Sequence, residues 1–287
     1  MPNNITVQQS LSSLPDPLVQ PVYLGYSGEQ PWSTRRIKVA QHLLAESPVL
    51  SGFEEALVRQ VDDLQELLGD EWSWIGVGRD DGVAAGEFNP IFYKNSAITL
   101  ISNDTFWLSN TPFVPSGFPG AGSFRICTAA RFELKTSPSG QPVRFSHLET
   151  HLDDQSDAQR RLGASMLLYR ARYEAFTTKS PVILTGDFNS ESTGNTSGAY
   201  QIVTGVIPPV AINETFAQKY AVPNGALPGF VLQDLKGRRR ASPSLATTRR
   251  TPGSTARATR RFSRGLISCL AGAMGSGPRM LIELGRR

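Results

Sequence analysis

Cysteine and histidine are scarce in this chain. Its two cysteines, Cys127 and Cys269, are too few for a disulfide framework or a cysteine zinc site, and they fit a reducing compartment. The three histidines are His42, His147 and His151, so no histidine is available beyond position 151. No stretch approaches the ~20 uninterrupted apolar residues of a membrane-spanning helix. Residues Met1–Val7 have neither a basic start nor an apolar run, so no secretory signal is expected. Together these absences predict a cytoplasmic chain without a membrane partner. Acidic residues nearly vanish from the C-terminal end: from Lys236 to Arg287 there is one, Glu283, against thirteen Lys and Arg, net +12. Residues 1–235 hold sixteen bases and twenty-four acids, net −8, and the overall +4 describes neither part. An acidic body disfavours a long polyanion and favours a small substrate, unless a local groove is basic.

What is present is enough for a core, with 39% hydrophobic and 19% charged residues in 287, the length of one large domain or two small ones. Residues 1–31 are rich in Pro, Ser and Gln and read as irregular. A helix is expected from a Ser33-Thr34 cap to Ala45. A second is expected from Phe53, because Phe53, Leu57, Val61, Leu64 and Leu68 make one apolar stripe. β-rich runs follow at Phe88–Lys94, Ala97–Ile101, Phe124–Leu134 and Val143–Leu148, with a turn at Thr136–Gly140. Ser156–Thr177 reads as a long helix with Leu162, Met166, Tyr169, Tyr173 and Phe176 on its buried face, and Pro181–Thr185 as a compact strand. This order suggests a layered α/β or α+β domain over 32–235. From 236 the chain is Arg, Ser, Thr, Pro and Gly, too poor in apolar surface to offset its ordering entropy, so 236–287 is expected to be disordered apart from one short helix at Leu266–Met274.

Four places can carry chemistry. Gly186-Asp-Phe-Asn189 ends an apolar strand: Asp187 is a candidate base or metal-oriented carboxylate and Asn189 a donor to developing negative charge, against the plainer reading of an Asx-type turn. His151 lies in Glu149-Thr-His-Leu-Asp-Asp154 and can bind or protonate a phosphate oxygen, whereas His42 and His147 read as structural. Phe53-Glu-Glu55 opens the second expected helix, either as dipole-favoured acids or as hard-metal ligands. The glycines of Gly76-Val-Gly-Arg-Asp-Asp-Gly82 have the wrong spacing for a dinucleotide loop, which leaves Arg79 as a phosphate-binding or loop-bracing group.

In their order these blocks resemble the endonuclease/exonuclease/phosphatase superfamily. The resemblance covers about residues 29–235 and lies near the deadenylase-like 3′-exonucleases. It rests on Phe53–Leu57, with Glu54 replacing the usual Gln; on Trp74–Gly82, Gly86–Lys94 and Phe106–Pro112; on Thr150-His-Leu-Asp153, with Glu149 where Asn is usual; and on Gly186–Asn189. It implies a four-layer α/β/β/α sandwich and Mg²⁺- or Mn²⁺-dependent phosphoester cleavage. It further implies Glu55 as metal ligand, His151 as phosphate contact, Asp187 as the group that activates water and Asn189 as its partner. Tyr93 and Arg79 are implied as further phosphate contacts.

The ends depart from the pattern. The family's first-strand Asn has no counterpart, since Asn3 and Asn4 lack the context, and its late Asp and Ser-Asp-His block are missing. The text after Lys236 resembles a GC-rich gene translated out of frame, which predicts a splice or frame change near residue 236, a second error at the N-terminus, an incomplete sandwich with exposed strand edges, and little or no catalysis. The expected function is a phosphodiesterase of the 3′-5′ exonuclease type acting on RNA or DNA, as a monomer. The alternatives are a phosphatase on a sugar or lipid phosphate, and a non-catalytic protein holding nucleic acid through its basic tail. That tail has Phe262 as its sole aromatic for base stacking.

Overall fold

The computed structural model describes residues 32–135 and 142–235, and the backbone of 265–269. Helix α1 (Trp32–Glu46) leads into strand β1 (Leu50–Gly52), helix α2 (Val58–Leu68) and strands β2 (Trp72–Ile75) and β3 (Ile91–Lys94). These three strands form an antiparallel sheet in the order β1-β3-β2. Strands β4 (Ile98–Trp107), β5 (Ile126–Leu134) and β6 (Val143–His151) follow as an antiparallel meander. Helix α3 (Asp157–Thr178) then crosses to β7 (Val182–Asp187), which lies parallel to β6. Short helices α4 (Gly198–Val203) and α5 (Glu214–Lys219), then β8 (Leu232–Asp234) and β9 (Gly265–Cys269), complete the described elements. The second sheet has the order β4-β5-β6-β7-β9-β8.

Three apolar clusters sort these elements into layers. Trp32, Leu43, Val61, Leu64 and Leu68 of the first two helices pack against Phe88, Phe92 and Trp72 on the outer face of the small sheet. Leu50, Ile75, Ile91 and Tyr93 from the inner face of that sheet meet Phe132, Phe145 and Ile183 from the large one. Leu148 and Leu184 on the outer face of the large sheet are covered by Leu162, Met166 and Leu167 of α3, with Ile202 and Phe216 beside them. The result is the expected α/β/β/α sandwich. Buried Asp63 ties α1 to α2 by accepting from Trp32 Nε1 at 2.8 Å and pairing with Arg36 at 3.0 Å and Arg59 at 3.1 Å.

Most expected elements recur with shifted ends. α3 is capped by Ser156, whose side chain accepts from Gln159 N–H at 3.2 Å. The second helix, however, starts at Val58 and not at Phe53. Residues 53–56 stay outside the helix: Phe53 N–H donates to Pro90 O at 3.1 Å and Phe88 N–H to Ala56 O at 2.8 Å, with a bend at Glu54 and Glu55 between these contacts. Phe53 is therefore buried from the end of β1, and Leu57 of the supposed stripe is 52% exposed. Residues 265–269 form a strand where the start of a helix was expected. The parallel pairing of β7 with β9 supplies hydrogen-bond partners for backbone groups that an open β7 edge would leave bare. The turn at Thr136–Gly140, the irregular residues 1–31 and the rest of 236–287 lie outside the described residues. Among the described residues no helix is long and apolar enough to cross a membrane.

Candidate active site

In the parallel β6–β7 pair, Glu149 stands opposite Thr185 and His151 opposite Asp187. Residues two apart on a strand share a face. His147, Glu149 and His151 therefore continue the row begun by core residue Phe145, and Thr185 and Asp187 continue that of Ile183. Both rows turn polar toward the carboxyl ends of the strands, where parallel sheets present groups to ligands. Gly186 is needed at this point: its φ is +140°, and a Cβ would collide with the Thr150 carbonyl.

His151 is 5% exposed. Its Nε2 lies 2.9 Å from Asn189 Nδ2, and that amide also donates to Leu152 O at 2.9 Å. The amide nitrogen is thus the donor to the ring, Nε2 is the acceptor, and the ring proton sits on Nδ1, a buried atom without a partner among the described residues. Burial, then the charges of Arg125 and Arg79, push the imidazole pKa down to about 3, against an upward pull from Asp153. The ring is neutral at pH 7. Asn189 itself has φ 43°, and its N–H donates to Asp187 Oδ1 at 2.8 Å. The Asx turn of the plainer reading is present, and it aims the Asn189 amide at His151.

Glu55 joins this group from the other sheet. Its Oε1 is 4.0 Å from His151 Nε2 and its side chain is 58% exposed. It stands in the bend between β1 and α2, with φ 57°, and not on a helix as expected. Burial raises its pKa, and the carboxylates of Glu87 and Asp187 raise it further, while Arg125 and Arg79 oppose them. Glu54 is raised more strongly, by burial and then by the charge of Glu149, with which it shares a hydrogen bond. Beneath them Thr185 Oγ1 donates to Glu149 and lies 2.6 Å from His147 Nε2, which keeps His147 in the buried polar layer between the sheets. Among the described residues no three His, Cys, Asp or Glu side chains gather as a metal cage. A hard cation that takes one or two carboxylates and otherwise keeps water still fits: Glu55 is accessible and feels the carboxylates of Glu87 and Asp187.

Arg79 is at the edge of this cluster. Its Nη1 pairs with Glu87 and its carbonyl accepts from Trp107 Nε1 at 2.7 Å, so it braces its loop, while its charge reaches His151 and Glu55. Tyr93 is not brought to the group. It belongs to the core between the sheets, 8% exposed, with its ring 5.4 Å from Phe132 and its hydroxyl bonded to Ser73. The inward alternation of β3 sends it there with Ile91. Arg125, which the sequence reading passed over, is 5% exposed and fixed beside His151 by Asp153 and Asp154. The signal available in the sequence was a lone charge opening the apolar run Ile126–Ala130. A separate apolar cleft of about 710 Å³, lined by Leu168, Tyr169, Ile202, Val210 and Phe230 among others, contains none of these residues.

No family model and no curated protein matches the sequence. Solved structures do. An endonuclease/exonuclease/phosphatase from Bacteroides vulgatus is 33% identical with a TM-score of 0.55, the match covering 61% of this chain and 64% of that one. A mannosyl-6-phosphatase from Bacteroides thetaiotaomicron is 31% identical with a TM-score of 0.56, over 63% of this chain and 65% of that one. A protein of unknown function from Enterococcus faecalis is 29% identical with a TM-score of 0.52, over 61% and 66%. The chain thus spans just under two thirds of these neighbours' lengths.

Proposed function

The chain belongs to the endonuclease/exonuclease/phosphatase superfamily, and from that premise we propose that it is a phosphoester hydrolase assisted by Mg²⁺ or Mn²⁺ and acting on a small phosphomonoester. The observation that carries this reading is the convergence of His151, Asp187, Asn189 and Glu55 at one end of the β6–β7 pair. Phosphoryl transfer needs charge neutralisation and an aligned nucleophile. Asp187, its carboxylate oriented by the Asn189 N–H, orients and deprotonates the attacking water. His151 is neutral and takes the Asn189 amide on Nε2; in the tautomer with its proton on Nε2, reached by exchange with solvent when the amide swings away, it would donate to a phosphate oxygen. Glu55 would hold the cation, which when bound supplies charge neutralisation at the phosphoryl oxygens.

Two observations favour a small substrate over a nucleic-acid strand. Residues 1–235 are net −8, and a neighbour at 31% identity is a phosphatase for a sugar phosphate. A 3′-5′ exonuclease is the competing reading on the same core, since fold does not fix substrate. The test is hydrolysis of a hexose 6-phosphate, a generic phosphodiester and a short single-stranded RNA by the full chain, with Mg²⁺ or Mn²⁺ and with chelator. Metal-dependent turnover of the monoester that Asp187→Ala lowers by at least about 10²-fold is expected. Turnover of RNA alone replaces the substrate class, and turnover that survives Asp187→Ala refutes the site.

A further inference from the structure

Resting on the phosphoesterase reading above, we propose that Arg125 is a substrate-binding residue of this site, donating through Nη1 to an oxygen of the phosphate. Arg125 directly precedes β5, whose Cys127 lies opposite Thr150, the neighbour of His151. Two contacts fix its guanidinium there: Nε pairs with Asp153 at 3.3 Å and Nη2 with Asp154 at 2.8 Å. Those two acids follow almost directly on His151, so the salt bridges hold the guanidinium beside the strand end that carries the imidazole. The side chain is 5% exposed, and Nη1 is buried with no hydrogen-bond partner among the described residues.

A purely structural role does not account for Nη1. Asp153 already accepts from the backbone N–H groups of Gly122, Ser123, Gln155 and Ser156, so its charge is met without an arginine. Bracing the corner uses Nε and Nη2 and leaves the third nitrogen bare. A buried charged donor without an acceptor is costly, and such groups persist where a ligand completes them. The charge of Arg125 is felt at His151 and at Glu55, the residues assigned to the phosphate and to the cation. An anion between them has a planar, permanently charged donor already oriented, the geometry in which arginine outperforms lysine.

The experiment titrates inorganic phosphate into the full chain by calorimetry, with and without Mg²⁺, for wild type, Arg125→Lys and Asp154→Asn. The lysine variant keeps the positive charge and one contact to the corner but loses the Nη1 donor. Asp154→Asn loosens the brace while keeping an acceptor for Nη2. Wild type is expected to bind phosphate, Arg125→Lys to bind it roughly tenfold or more weakly, and Asp154→Asn to stay within about threefold of wild type. Thermal melts of all three check that the fold is kept. Equal affinity in wild type and Arg125→Lys, equal losses in both variants, or no phosphate binding by wild type each overturn the proposal. Turnover measured in parallel separates the two readings. Metal-dependent hydrolysis that needs Asp187 but ignores Arg125→Lys leaves the phosphoesterase standing without Arg125. Phosphate held through Arg125 by a protein without turnover keeps Arg125 and removes the hydrolase.

Discussion

Replacing His151 by glutamine should change how acid affects stability, by an amount that follows from the site. The imidazole pKa falls from an ordinary 6.5 to about 3 on folding, chiefly through burial. Between those values the unfolded chain binds a proton that the native state refuses. Stability therefore rises with pH across that window: it is fully present above pH 6.5 and is lost progressively as pH falls toward 3. At pH 5 the linkage loss relative to pH 7 is about 2 kcal/mol, and any native pKa below about 4 gives the same result. The glutamine side chain cannot take up a proton, yet its oxygen can still accept from the Asn189 amide. Glu54 and Glu55 titrate with the opposite sign, since their raised pKa values add stability as pH falls, but they do so in both proteins and largely cancel in the difference. Urea unfolding followed by tryptophan fluorescence at pH 7, 6 and 5 measures it. The gap in unfolding free energy between wild type and H151Q should shift in favour of the variant by about 2 kcal/mol from pH 7 to 5. A shift under about 0.5 kcal/mol, or an imidazole that titrates near 6.5 by NMR, would refute a neutral, buried His151.

Two further substitutions probe the frame around the site. Asp63→Ala removes the acceptor of Trp32 and the partner of Arg36 and Arg59; since both arginines can reach water, a loss of about 2–3 kcal/mol in urea unfolding is expected, and a loss below about 1 kcal/mol would show that α1 docks without this knot. Gly186→Ala puts a Cβ against the Thr150 carbonyl at a φ of +140°, and should destabilise by roughly 3 kcal/mol or more and abolish turnover; a variant that melts like wild type would mean that the β6–β7 crossing is looser than described.

The legible parts of the fold were those written in local pattern. The α3 helix and its apolar stripe, the β-branched and aromatic runs of β4 to β7, and the polar ending of β7 are each visible in local sequence. Phe53 misled because an i, i+4 spacing to Leu57 looks helical, whereas its backbone bond to Pro90 keeps it at the sheet and the chain bends at Glu55 before the helix begins. Tyr93 misled because motif order says nothing about which face of β3 a side chain takes. Arg125 was missed because its partners, Asp153 and Asp154, are 28 and 29 residues away. The pairing of Gly265–Cys269 between β7 and β8 is equally nonlocal.

The chemical inventory was legible in the residues alone: one histidine among acids, an Asp and an Asn closing an apolar strand, a glutamate pair opening an expected helix, and a net charge of −8 over residues 1–235. Those are matters of side-chain type and short spacing, which no fold can alter. Tertiary packing alone brings Glu55, in the bend after β1, to 4.0 Å from His151 at the end of β6, sets the Asn189 amide against Nε2 of that ring, and holds Arg125 on Asp153 and Asp154 with its Nη1 unpartnered among the described residues. Each of those depends on register between distant strands, and register is set by how the two inner faces pack rather than by any residue's own preference.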